Sequence, residues 1–395
     1  MKKTVLKVLA LCMSLFCIAG CFVACGKKHD DAIVIGLSGP TTEAAATYGL
    51  AVQNSAQMAV DEINAAGGLK NGVKLYLAAY DDKHDPTLVA NNYAAMDKEG
   101  MQVALGCVTT NPCLEFVKLS NDNDIFFLTP SASGNAVVTT GDHAYQMCFA
   151  DDNQGEVVAK IVNDLAKDGK LGKLGVLYKS GDPYSEGIYN RFKATLDSSI
   201  THVYASFEGD DNTVDLAAQV TKLQDCDFIF MPIYYTPAAK FMTAAKGKVA
   251  NDAIYYGCDG FDGIDTSVEG FDITTIPQEV IMLSHFDSKA TDGLAGDYIK
   301  KYKEAYPDGP LNQFGAAAYD CIYALAAAMN QAIDEGKEIT ADIAAKELCD
   351  ILTEQFKKGF PFSGATGENI TWGNAEDAGY VQKAAQPITI KKANA

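Results

Sequence analysis

The chain has 395 residues, 48% of them hydrophobic, which is enough apolar material for two domains. Its 51 acidic residues outnumber 32 basic ones, for a formal charge of −19, and such an acidic surface argues against nucleic acid or anionic headgroups as partners. The five histidines (29, 84, 143, 202 and 285) lack metal-ligand spacing, and neither a G-x-S-x-G motif nor a phosphate loop is present; no enzyme, metal or cofactor is expected.

The amino terminus, MKKTVLKVLALCMSLFCIAGCFVAC, sets Lys2, Lys3 and Lys7 before an apolar run from Val8 to Ala24. It reads as a cleaved export signal, because the run is near the lower limit of length for a membrane span and ends in small residues before a cysteine. Both Ile18-Ala19-Gly20 before Cys21 and Phe22-Val23-Ala24 before Cys25 resemble a bacterial lipobox. Cys25 is the expected lipid acceptor, with Cys21 the alternative, because polar residues follow Cys25 directly. Loss of three lysines and no acid on cleavage takes the charge from −19 to −22. Seven cysteines remain (107, 113, 148, 226, 258, 321 and 349), an odd and scattered set that reads as buried free thiols; a Cys107 to Cys113 bridge is the alternative.

From residue 33 the pattern is β-α repeated. IVIGL (33 to 37) is continuously apolar, like a strand covered on both faces. Val52, Ala56, Ala59 and Ile63 fall at helical spacing, stopped by Gly67-Gly68. VKLYLAA (73 to 79) alternates, Val89, Tyr93 and Met96 mark a helix face, and VALG (103 to 106) and IFFL (125 to 128) read as buried strands around a short helix near Pro112. The pattern restarts near 150, where Asp151, Asp152 and Asn153 offer helix caps. LGVLY (174 to 178), HVYASF (202 to 207), DFIFM (227 to 231) and AIYY (253 to 256) then alternate with helices near Pro183, Thr213 and Pro237. VIML (280 to 283), an Ala-rich helix from about Gly315 to Met329 and a tail hairpin ending in ITIK (388 to 391) complete the chain. Repeated β-α units imply parallel sheets with helices on both faces.

Open parallel sheets bind ligands beyond the carboxyl ends of their strands. There this chain carries Cys107-Val108-Thr109-Thr110-Asn111-Pro112, and Thr129-Pro130-Ser131-Ala132-Ser133. Hydroxyls and amides at a helix start suit a carboxylate, although Thr110 or Ser133 taken alone reads as a helix cap. The later strands end in Pro232-Ile233-Tyr234-Tyr235 and Cys258-Asp259-Gly260-Phe261-Asp262. An acid facing a carboxylate pocket would pair with an ammonium group; the alternative is an Asx-turn at Asp259 or Asp262. Tyr48 and Tyr184 begin helices, as packing residues or as contacts.

These segments, in the order SGP…YG, AVDEINAAGG, YDDKHDP, VALGCVTTNP, LTPSAS, YKSGDPYSEG and DFIFMPIYY, resemble the leucine/isoleucine/valine-binding family of ABC-transporter solute receptors across nearly the whole mature chain. The resemblance implies the type I periplasmic binding protein fold. That fold is α/β, two Rossmann-like lobes with parallel central sheets joined by three crossover segments, with the ligand cleft between them. After the signal segment 1–25, the expected lobes are 32–148 with 284–358, and 149–283 with 359–395. It places the carboxylate-binding hydroxyl on Thr110, preceded by Val108 and Thr109, and the segment contacting both ends of the ligand on Ser131, Ala132 and Ser133. The closing tyrosines fall on Tyr184 and Tyr234, the ammonium-binding acid on Asp259, and the side-chain pocket on Tyr48, Val108 and Phe314. Two departures stand out: Asp259 replaces a longer Glu, and His84 and Thr109 occupy the positions of a family disulfide. The implied protein is an extracytoplasmic, lipid-anchored monomer on the outer face of the cell membrane. It would clamp a small, aliphatic or branched-chain amino acid and deliver it to ABC permease subunits. A sensor or co-receptor, or a receptor for a related amide or urea, is the alternative.

Overall fold

The protein is described by a computed structural model covering residues 29–372 and 379–393. The signal segment with both lipobox cysteines, and residues 373–378 of the tail, lie outside the described residues.

The first sheet grows from β1 (Ala32–Gly39), α1 (Ala46–Ala65), β2 (Lys74–Asp81), α2 (Val89–Lys98), β3 (Met101–Cys107), α3 (Thr110–Asp122), β4 (Phe126–Thr129), α4 (Asn135–Thr139) and β5 (Ala144–Gln146). Its strands run β2-β1-β3-β4-β5, all parallel. The continuous apolar runs are explained by burial: every residue of β1, β3 and β4 is inaccessible to solvent. Gly106, near the end of β3, has φ +79°, and a Cβ there would stand 2.2 Å from the Phe127 ring. Only glycine lets β3 turn toward α3 against β4.

The second sheet follows through α5 (Asp151–Lys167), β6 (Leu174–Lys179), α6 (Pro183–Thr195), β7 (His202–Phe207), α7 (Ala217–Leu223), β8 (Phe228–Met231), α8 (Tyr235–Ala245), β9 (Ile254–Gly257) and β10 (Glu279–Ser284). The chain then forms α9 (Gly293–Ala305), α10 (Gln313–Asp334) and α11 (Ala345–Lys358), and returns to the second sheet as β11 (Gln386–Lys391). The strand order is β11-β10-β9-β8-β6-β7, with β11 alone antiparallel, against β10. The expected α/β architecture of two parallel-sheet lobes is therefore present.

The chain passes between the sheets three times: after β5, after β10 and after α11. Helices α10 and α11 return to the first sheet, where Phe356 packs on Phe126 and Tyr145 with ring centroids 4.9 and 5.0 Å away. A buried polar network sits at the crossings. Asp320 accepts from Ala365 N (2.7 Å), Thr366 N (2.8 Å) and Thr366 Oγ1, and Lys383 Nζ donates to Thr366 Oγ1 (2.5 Å). Burial lowers the Lys383 pKa to about 8, with Asp320 opposing the shift.

Several elements differ from the sequence reading. The helix near Pro112 is a full 13-residue α3, α10 extends past both expected ends, and α7 starts four residues after Thr213 because turn bonds to Asp210 O hold Thr213 and Val214. Short β5 and helices α4, α9 and α11 add to the expected set. The cap of α5 is Ala150, not Asp151; Asn153 Oδ1 accepts from Ala150 N at 3.1 Å, while Asp152 complements the helix dipole from the first turn. All seven cysteines of the described chain are buried and free.

Candidate functional site

The carboxyl ends of the two sheets face each other across a narrow, nearly filled cleft with only about 10 Å3 of free space, room for about one water. Its walls are Tyr48, Val108, Thr109, Thr110, Ser131, Ser133, Tyr184, Tyr234, Asp259, Gly260 and Phe314. Every expected site residue except Ala132 is thus gathered there. Ala132 is fully buried but belongs to the core between β3 and α3, with Cys107, Cys113 and Phe116.

The first-sheet wall is built from strand ends that brace one another. Thr129 Oγ1 donates to Cys107 O (2.8 Å), Ser131 Oγ donates to Val108 O (2.7 Å), and Gly134 N donates to Thr110 Oγ1 (3.2 Å). Thr110 therefore does not cap α3; Thr109 occupies the cap position and its side chain makes no cap bond either. The amino end of α3, unblocked by a cap and flanked by the Thr110 and Ser133 hydroxyls, is suited to an anion.

Asp259 follows β9 in a short turn and forms the opposite wall; it is 2% exposed. Its Oδ1 accepts from Tyr184 Oη (2.7 Å), its N donates to Gln154 Oε1 (3.0 Å), and Gly260 N donates to the same Tyr184 oxygen (3.0 Å). The carboxylate is therefore held by a tyrosine and makes no Asx-turn. Burial raises its pKa to about 6, opposed chiefly by the Tyr184 hydrogen bond. Tyr184 is placed by α6, which Pro183 opens and Asp182 caps by accepting from Ser185 N (3.0 Å). Gly260 lacks a Cβ of necessity, since one would lie 2.7 Å from Tyr184 Oη and 2.9 Å from Ile233 O.

An aromatic box completes the cavity. Tyr234 stacks on Tyr184 (4.7 Å, 10° between planes), and Tyr48 meets Phe314 edge-on at 4.7 Å. The two sides are latched directly: Tyr48 Oη donates to Gly260 O (2.6 Å), Thr236 Oγ1 to Ala44 O (3.1 Å) and Gln313 N to Asp262 Oδ2 (2.9 Å). Burial raises the Asp262 pKa to about 7.

Sequence reasoning missed Gly260 as a wall and the acid behind it. Asp151 is 2% exposed, its pKa is raised by burial and then by Asp259, and its Oδ2 has no hydrogen-bond partner among the described residues. Gln154 links the two acids, approaching Asp151 Oδ1 at 3.5 Å. The Asp-x-x-Gln spacing, which puts both side chains on one helix face, was the available signal.

Two α/β lobes meeting over a narrow cleft, with an acid on one wall and hydroxyls on the other, define a two-lobed receptor for a small solute. The sequence profile of the periplasmic binding protein family matches residues 32–386. Leu/Ile/Val-binding protein BraC3 of Rhizobium johnstonii is 29% identical over 353 residues, which are 83% of this chain and 91% of that protein. The leucine-, isoleucine-, valine-, threonine- and alanine-binding protein of Pseudomonas aeruginosa is 29% identical over 237 residues, 58% of this chain and 61% of its own. Among solved structures, the branched-chain amino acid transporter substrate-binding protein LivJ of Streptococcus pneumoniae, in complex with isoleucine, superposes with a TM-score of 0.73. It is 24% identical and covers 91% of this chain and 99% of its own. A solute-binding protein of an R. palustris ABC transporter, in complex with benzoate, shares the fold at a TM-score of 0.71 and 17% identity, covering 91% and 95%. The chain belongs to the periplasmic binding protein family.

Proposed function

We propose that this protein is the extracytoplasmic receptor of an ABC importer for amino acids. The observation that carries the reading is the placement, across one narrow cleft, of buried Asp259 opposite the Thr110 and Ser133 hydroxyls at the amino end of α3. An α-carboxylate docks on the hydroxyl wall and an α-ammonium pairs with Asp259. Tyr48, Val108 and Phe314 pack against the side chain, and Ala132 contributes only through the backbone of its segment. The acid disfavours an aromatic carboxylate such as benzoate, which has no ammonium to offer.

The lobes, 32–148 with 284–358 and 149–283 with 359–395, close by hinge bending at the three crossings. The ligand drives closure by the contacts it adds in the closed state, beside those of Tyr48 with Gly260 and Gln313 with Asp262. The closed monomer is what the permease recognises, and a lipid on Cys25, or on Cys21, holds it at the outer face of the membrane. Titration calorimetry of the purified protein against the twenty amino acids tests the reading. Saturable heat from at least one small α-amino acid is expected, and none from any of them would refute it.

A further inference from the structure

The lining is not uniformly apolar. Besides Asp259 and the Thr110 hydroxyl, which suit the α-groups, it holds Tyr48, Val108 and Phe314 together with the polar Thr109 and Tyr234. Thr109 Oγ1 lies 2.8 Å from His84 Nδ1, and the His84 ring meets Tyr234 edge-on at 5.2 Å. Tyr234 is 6% exposed, and its hydroxyl has no hydrogen-bond partner among the described residues. Burial lowers the His84 pKa to about 4, so the ring is neutral at physiological pH. In either tautomer the Thr109–His84 pair leaves Thr109 with hydrogen-bonding capacity to spare: two lone pairs if the hydroxyl donates to Nδ1, its own hydrogen and one lone pair if it accepts. Behind His84, Lys179 is committed to Asp211 at 2.8 Å, so no open cation awaits an acidic side chain.

Resting on the reading above, we propose that the bound amino acid carries a neutral hydrogen-bonding side chain, a hydroxyl or a carboxamide, selected over its aliphatic isostere by Thr109, His84 and Tyr234. An aliphatic group in this position would seal the Tyr234 hydroxyl away from water without a partner, which costs about 1–3 kcal/mol. Sites built to hydrogen-bond a substrate group discriminate strongly against analogues that lack it. The methyl of threonine would still pack on Val108 and Phe314, so a side chain with one apolar and one polar face matches both walls.

The test is calorimetry with near-isosteric pairs, threonine against valine and asparagine against leucine, on the wild type and on Thr109→Val, Tyr234→Phe and Val108→Ala. The wild type is expected to favour the polar member of each pair by roughly tenfold or more. Thr109→Val and Tyr234→Phe should each shrink that ratio toward one, whereas Val108→Ala should weaken both members together. Wild-type affinity for valine or leucine equal to or above that for threonine or asparagine overturns the inference and leaves the amino-acid reading standing. Silence from every α-amino acid removes both.

Discussion

Asp259→Asn separates a binding role from a structural one, because the two predict opposite signs. In the folded protein the carboxyl is buried and its pKa lies near 6, above the 3.8 of an unperturbed aspartate. An acid with a raised folded-state pKa keeps its proton to higher pH when folded than when unfolded. Its ionisation therefore erodes stability as pH rises from about 4 to about 6, and the full cost stands above pH 6. A shift of about two units corresponds to about 3 kcal/mol at pH 7. Asparagine keeps the volume and lets Tyr184 donate to the amide oxygen, so the ligand-free protein should melt several degrees higher. Binding should suffer, since losing one partner of a buried, hydrogen-bonded charge pair costs about 2–5 kcal/mol. That is a rise in Kd of roughly thirtyfold to several-thousandfold for the best wild-type amino acid. Scanning calorimetry of the free protein and titration calorimetry of both forms read the two effects. An unchanged Kd removes Asp259 from the ligand site, and a lowered melting temperature in the ligand-free variant refutes the burial argument.

Affinity for a zwitterionic amino acid should hold from pH 8 to about 6 and fall below it, by up to tenfold per pH unit, as Asp259 takes a proton. A flat profile from pH 7 to 4.5 would contradict the pairing. Gly260→Ala should push the Tyr184 hydroxyl off Asp259 and strain the Tyr48 latch. It should weaken binding at least tenfold, about 1.4 kcal/mol, with circular dichroism unchanged; wild-type affinity would show that the wall gives way freely. Asp320→Ala strips three hydrogen-bond donors of their acceptor and leaves half-buried Lys383 without its counter-charge. It should destabilise the protein by about 3–5 kcal/mol in urea unfolding at pH 7, with less loss near pH 9, where Lys383 is neutral in the fold. A loss under 1 kcal/mol would refute the network.

The sequence was most legible where burial is complete. IVIGL, VALG and IFFL stand out as unbroken apolar runs because β1, β3 and β4 are covered on both faces, and the parallel arrangement follows from what lies between them. Helix α11 was overlooked although Leu348, Ile351, Leu352, Gln355 and Phe356 share one buried face, since its charged residues break up any run of apolar letters. At the cavity, position relative to strand ends and the family resemblance brought the right side chains forward, but not their partners. Tyr48 and Gly260 are 212 residues apart and meet only because one lobe closes on the other; Asp259 and Tyr184, 75 residues apart within the second lobe, meet only through the packing of α6 beside β9. The same separation explains why an Asx-turn stood as the alternative at Asp259 and a helix cap as the reading at Asp151. An aspartate after a strand followed by glycine is locally an Asx-turn candidate, and it becomes a buried acid only because α6 delivers a tyrosine to it. Asp151 was read as a helix cap for the same reason: nothing in DDNQG says that a second acid, Asp259, stands near it. Local chemistry thus predicts which residues reach the cleft, while the charge state of the cleft, and with it the choice of ligand, depends on tertiary contacts between segments far apart in the chain.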